Sequence, residues 1–144
     1  MSKSASALTF TQISILLNFD IQKVMQISSR KIYNTPIGRI YYRGSKDYGY
    51  SNKNWWYSID PDVVIKESVD YLCLAADYIG FFLIPSELFN EYRTRNTIGS
   101  VKGGREDFTI VKDGTRFIRR ESKCNDWDIS QYFIPYKQWN QQSQ

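Results

Sequence analysis

The apolar positions change period along the chain, and each change marks an expected element. Over Thr9–Ile32 they recur at helical spacing, with Ile13, Leu16 and Leu17 on one face and Ile21, Val24, Met25 and Ile27 on a second. Asn18-Phe19-Asp20 separates the two sets, and Asp20 suits an N-cap, so the pattern predicts an N-terminal helical hairpin. From Ile37 to Arg43 the period shortens to two: Ile37, Arg39, Tyr41 and Arg43 fall on one side, Gly38, Ile40 and Tyr42 on the other. A polar stretch from Gly44 to Asn54 leads into a strand, Trp55–Ile59, and Asp60-Pro61-Asp62 opens a short helix that runs towards Ser68.

Val69–Ala76 and Ile79–Ile84 are rich in β-formers and are joined at Asp77-Tyr78, which predicts a hairpin at the sheet centre with a bulge at Gly80. Pro85-Ser86 turns the chain into a helix, Glu87–Arg93, and Asn96–Gly104 reads as a basic loop. Phe108–Val111 and Thr115–Arg120 form a second expected hairpin around Lys112-Asp113-Gly114, and Asp128–Phe133 is one more short element. Residues 1–7 and 138–144 read as mobile ends. The expectation is one α+β domain over 1–144. In it the helical hairpin precedes a mostly antiparallel or mixed sheet of five to six strands, with one or two short helices.

Composition narrows the chemistry. The 144 residues are 42% apolar, enough for one core, and carry eleven Tyr, eight Phe and four Trp. The chain has no histidine, so triads and proton relays built on that side chain are excluded within it. Its two cysteines, Cys73 and Cys124, form no CxxC pair, so no closed metal site and no cofactor is expected. Cys73 lies in an apolar run and reads as core, and this cysteine usage fits a reducing compartment. No apolar stretch approaches the ~20 residues of a membrane span. Ala5–Leu17 is broken by Thr9, Thr11, Gln12 and Ser14, unlike a signal peptide. The expected location is the cytoplasm.

The net charge is +4, but the charges are segregated along the chain. Arg30–Lys53 holds six basic residues (Arg30, Lys31, Arg39, Arg43, Lys46, Lys53) against Asp47 alone. Asn54–Tyr92 holds seven acids against Lys66, and Arg93–Lys123 holds nine bases against four acids. Two basic blocks around an acidic middle suit one surface that faces a polyanion.

Three constellations carry candidate chemistry. Between Arg39 and Tyr57, cations alternate with rings: Arg39, Arg43, Lys46 and Lys53 with Tyr48, Tyr50, Trp55, Trp56 and Tyr57. Cations neutralise phosphates, and ring faces stack on bases at roughly 1–3 kcal/mol each. A strand places Trp55 and Tyr57 on one side and Trp56 on the other, so the three rings divide between core and surface. Gly99–Arg105 is a glycine-rich loop in which Lys102 and Arg105 could reach phosphate. Asp107, followed after a hairpin by Glu121-Ser122-Lys123, resembles the strand–turn–strand site of PD-(D/E)xK nucleases. That resemblance implies an alternative function: Mg²⁺-dependent cleavage by Asp107, Glu121 and Lys123. Arg119 and Arg120 stand where that site carries apolar residues, and together with Arg116 they suit phosphate binding instead.

A further resemblance lies in Trp55-Trp56-Tyr57-Ser58-Ile59, Val69-Asp70-Tyr71-Leu72-Cys73-Leu74 and Phe81-Phe82-Leu83-Ile84-Pro85-Ser86-Glu87-Leu88. This series resembles a stretch of nuclease or nuclease-associated DNA-binding domains in restriction-modification and related defence systems. It covers about a quarter of the chain and consists mostly of packing residues, so it implies a sheet and a DNA-binding setting but no catalytic residue. The expected function is a nucleic-acid-binding module, for DNA before RNA, with no membrane partner. Its contacts would be Arg39, Arg43, Lys46, Tyr48, Tyr50, Lys53, Trp55, Trp56, Tyr57, Lys102, Arg105, Arg116, Arg119 and Arg120. The second alternative is a protein-interaction domain that uses the same basic face for an acidic partner.

Overall fold

The computed structural model describes residues 6–49, 52–96, 100–101, 104–122 and 124–136. Tyr50, Lys102, Lys123 and the expected mobile tail 138–144 lie outside these residues.

In chain order the elements are α1 (Phe10–Leu16), β1 (Met25–Ser28), β2 (Ile32–Thr35), β3 (Gly38–Ser45), β4 (Asn54–Ile59), α2 (Pro61–Lys66) and β5 (Tyr71–Ala76). There follow β6 (Gly80–Pro85), α3 (Ser86–Arg95), β7 (Ser100–Val101), β8 (Arg105–Asp113), β9 (Arg116–Arg119), β10 (Trp127–Asp128) and β11 (Phe133–Pro135). The α+β class holds, but the strands divide between two sheets. One is six-stranded and mixed, in the order β1-β2-β3-β5-β6-β11; the other runs β10-β9-β8-β4, with β7 beside β8. Among the described residues the one parallel pair is β3–β5, and the chain between them passes through β4 and α2.

Side-chain parity explains the layers. On β5, Leu72, Leu74 and Ala76 face the second sheet and join a core with Trp55, Tyr57, Phe82, Phe108 and Phe117. Cys73 and Ala75 point the other way, to a second cluster with Ile40, Phe81, Phe10 and Ile13, where α1 covers the first sheet. Both faces of β5 are buried, which is why its sequence reads as an unbroken apolar run. Each large side chain so buried contributes ~1.5–3 kcal/mol. Thr9 and Gln12 form a capping box that starts α1, and the Tyr42 hydroxyl donates to the Leu8 carbonyl just before it.

The second helix of the expected hairpin does not form. Asn18, at φ 60°, turns the chain out of α1, and Asp20 caps only a single 3-10 turn, Ile21–Lys23. Met25–Ser28 then pairs antiparallel with β2. Ile21, Met25 and Ile27 fit a helical period, but all three are exposed, so a helix there would have had no core to cover. Gly80 is not a bulge either. The β5–β6 register runs unbroken to Ala76–Gly80, and a Cβ at Gly80 would collide with the Ile134 carbonyl of β11. No helix among the described residues is long and apolar enough to cross a membrane.

Candidate nucleic-acid interface

The two basic blocks run lengthwise through the fold. β3 has eight residues, so it extends ~25 Å at 3.3 Å per residue, and Arg39 and Lys46 lie at its opposite ends. Arg105 and Lys112 are separated in the same way along β8. β4 pairs antiparallel with β8, with Asn54 opposite Val111, and this brings the β3–β4 loop against the β8–β9 turn. The later parts of both blocks therefore meet. Between them lies a groove of about 420 Å³, lined by Tyr48, Gly49 and Asn52 from the loop, by Asn54 at the start of β4, and by Val111–Gly114 and Arg120 from the hairpin.

Asp47 organises the loop. Its Oδ1 accepts from the Gly49 N–H (2.9 Å) and the Asn54 N–H (3.1 Å), and Lys53 Nζ stands 3.4 Å from Oδ2. Partial burial pushes the Asp47 carboxyl up, but the two N–H groups and Lys53 outweigh it and hold it below the ordinary aspartate value. The Tyr48 N–H donates to the Asn54 carbonyl (2.8 Å), which leaves the Tyr48 ring 48% exposed on the groove. Lys46 Nζ lies 4.9 Å from the centre of that ring. A Cβ at Gly49 would overlap the Asn52 carbonyl, so only glycine fits there. Across the groove, Lys112 Nζ donates to the Gly114 carbonyl (3.2 Å).

The aromatic strand divides by face. Trp55 and Tyr57 are buried between the sheets, Trp55 Nε1 donating to Asp77 Oδ2 (3.0 Å) and the Tyr57 hydroxyl to the Ala75 carbonyl (2.9 Å). Their ring faces are closed to any base, which corrects the expectation for both. Trp56 is 41% exposed on the outer face of the second sheet, with Nε1 donating to Asp107 Oδ1 (2.9 Å).

The expected phosphate contacts divide as well. Arg119 is fully buried and cannot reach a ligand phosphate: its guanidinium lies against Phe108, Tyr92 and Phe89 and donates to Glu121 Oε2 (3.1 Å) and the Asp107 carbonyl (2.9 Å). Arg39 donates to Asn34 Oδ1 and to the Glu67 carbonyl at the C-terminus of α2, a bracing role at the far end of β3. Arg116 faces Asp128 (3.9 Å), and Arg120 faces Asp126 (2.8 Å) and Asp113 (3.5 Å). Arg43 and Arg105 form no ion pair with a described residue, and neither lines the groove. Lys112 and Arg120 line the groove, and Lys46 and Lys53 flank it through Tyr48 and Asp47.

The carboxylates of the nuclease alternative are held in structural bonds. Asp107 receives Trp56, while Glu121 Oε2 accepts from the Thr109 N–H (2.7 Å) and from Arg119. Burial raises the Glu121 carboxyl above its ordinary value, against the opposing pull of Thr109 and Arg119. Among the described residues, no group of three metal-ligating side chains is placed to hold an ion.

Asn52, Asn54 and Lys112 are groove residues the sequence did not single out. Their signal is the β4–β8 pairing, which a single chain read in order does not reveal. No family model, no curated protein and no solved structure matches the chain.

Proposed function

We propose that the groove at Tyr48 binds one unstacked nucleotide of a single-stranded or locally opened nucleic acid. One observation carries the reading: the exposed Tyr48 ring, flanked by Lys46, opens on a groove of about 420 Å³ that also presents Asn52, Asn54, Lys112 and Arg120. A ring face supplies sequence-tolerant stacking, asparagine amides can donate to and accept from a base edge, and the cations suit the flanking phosphates. DNA is the favoured nucleic acid because of the resemblance to restriction-modification and defence proteins. Lys53 and Arg120 already face carboxylates, so the net electrostatic contribution is small. We therefore expect weak binding with a shallow salt slope, on the order of two to four phosphates.

Fluorescence anisotropy with a single strand of roughly ten nucleotides tests this. Binding at ~50 mM salt is expected to exceed that of the matching duplex, and Tyr48→Ala is expected to weaken it about tenfold, one stacked base being worth ~1–3 kcal/mol. No affinity at that salt concentration, or an unchanged affinity in Tyr48→Ala, removes the proposal.

A further inference from the structure

The groove at Tyr48 contains one group that stacking and phosphate contacts leave unused. Among the described residues Asp113 is the single carboxylate of its lining, on the hairpin wall opposite Tyr48. A carboxylate repels phosphate, so it weakens a groove that only attracts a polyanion. An ion pair with Arg120 does not account for it. Asp113 Oδ2 stands 3.5 Å from Arg120 Nη2, at the limit of a hydrogen bond. Arg120 makes its closer contacts with Asp126, through Nη2 at 2.8 Å and Nε at 3.2 and 3.3 Å. Asp113 and Arg120 are both about half exposed, and such pairs contribute little. Asp113 Oδ1 accepts no hydrogen bond from a described residue.

The backbone that carries this carboxylate is fixed. Asp113 pairs with Arg116 across the turn, and Gly114, at φ 63°, sets the turn's hand. The groove also offers donors. The side-chain amides of Asn52 and Asn54 form no hydrogen bond with a described residue, although the Asn54 backbone N–H and carbonyl are both engaged. An open ring, a carboxylate and two amides therefore line one space.

We propose that the base held at Tyr48 is guanine, and that Asp113 reads its Watson–Crick edge; this rests on the reading of the groove as a nucleotide site. Guanine N1–H and N2–H are adjacent, parallel donors that match the two oxygens of a carboxylate in a charge-assisted pair. Guanine O6, beside them, accepts from an asparagine amide. The other bases lack this edge. Adenine and cytosine set an amino group beside an unprotonated ring nitrogen, whose lone pair would face the second carboxylate oxygen. Thymine has a single N–H between two carbonyls. Asp113 thus selects by repulsion as well as by attraction, while Tyr48 supplies stacking that any base can use.

The test is fluorescence anisotropy with strands of roughly ten nucleotides, abasic except for one central guanine, hypoxanthine, adenine or thymine. A wholly abasic strand reports the phosphate contribution. Guanine is expected to bind about tenfold more tightly than adenine or thymine, as one bidentate base contact allows. Hypoxanthine, which lacks the N2 amino group, is expected to bind about fivefold more weakly than guanine. In Asp113→Asn the preference for guanine is expected to fall below about twofold, while affinity for the thymine strand stays or rises, because a negative charge beside the phosphates is gone. Asparagine before Gly114 keeps the turn. Equal binding of guanine and hypoxanthine, no preference for guanine over adenine, or an unchanged preference in Asp113→Asn overturns the guanine assignment. If each base still binds above the abasic strand, the nucleotide reading stands without it. Affinity no greater than that of the abasic strand, whatever the base, removes both.

Discussion

The guanidinium carbon of Arg119 lies 4.0 Å from the ring centre of Phe108, inside the layer between the two sheets. Tyr92 stands 4.8 Å away on the same group, and among the described residues Glu121 is the carboxylate within ion-pair distance, with buried Glu106 acting from farther off. A desolvated cation–π contact is worth ~2 kcal/mol, but removing the counter-charge would leave a buried cation uncompensated. Glu121→Ala is therefore expected to destabilise by ~3–5 kcal/mol, while Arg119→Met, which replaces the charge with apolar volume, costs much less. Urea denaturation of the two variants checks the order. An unaffected Glu121→Ala would mean that Arg119 finds compensation elsewhere.

Trp55 and Trp56 are adjacent in sequence and opposite in consequence. Trp55→Ala empties a fully buried site beside Phe117 and is expected to lower stability by ~3–5 kcal/mol. Trp56→Ala loses an exposed ring and its bond to Asp107, which is worth ~1 kcal/mol. Thermal melts of both variants decide this, and equal melting temperatures would refute the division by face.

The Asp47 carboxylate ties Gly49 and Asn54 together, so its protonation releases the groove loop. The folded value lies below 3.8, the ordinary aspartate value. Stability from this group is therefore complete above that value and is lost as pH falls through the lower, folded one. The Gly49 and Asn54 amide resonances are expected to titrate together with a midpoint below 3.8, and independent midpoints would break the assignment.

Gly49→Ala tests the groove without touching a charged or aromatic group. Its Cβ would overlap the Asn52 carbonyl, so the loop must reshape. The clash is with backbone and not with the end of a flexible side chain, so stability is expected to fall by ~1–3 kcal/mol and binding of single-stranded DNA to fall as well. A variant that binds like the parent would place the ligand elsewhere.

Local signals were readable in the sequence wherever one face or both faces of an element meet core. The β5–β6 hairpin, the proline start of α2, the Asp113-Gly114 turn and the parity of Trp55, Trp56 and Tyr57 all belong to this group. The stretch 21–27 misled because its apolar residues sit on an exposed sheet edge, where period carries no information about burial. Arg119 misled because charge suggested surface. Yet strand parity pairs it with buried Phe117, as parity pairs buried Glu106 with Phe108. The groove required a different kind of knowledge: Asn54 meets Val111 only through a pairing that spans about two-fifths of the chain.

The path of the backbone alternates between the layers. β1–β3 belong to the first sheet, β4 to the second, β5 and β6 to the first, β7–β10 to the second, and β11 returns to the first. Neither sheet can be assembled from one continuous stretch of polypeptide, so a protein split at any loop would leave both halves without their neighbours. Two consequences follow. Folding is expected to be slow and all-or-none, since distant segments must meet before either layer closes. And loss of the last dozen described residues would open both layers at once, because β10 edges one and β11 edges the other.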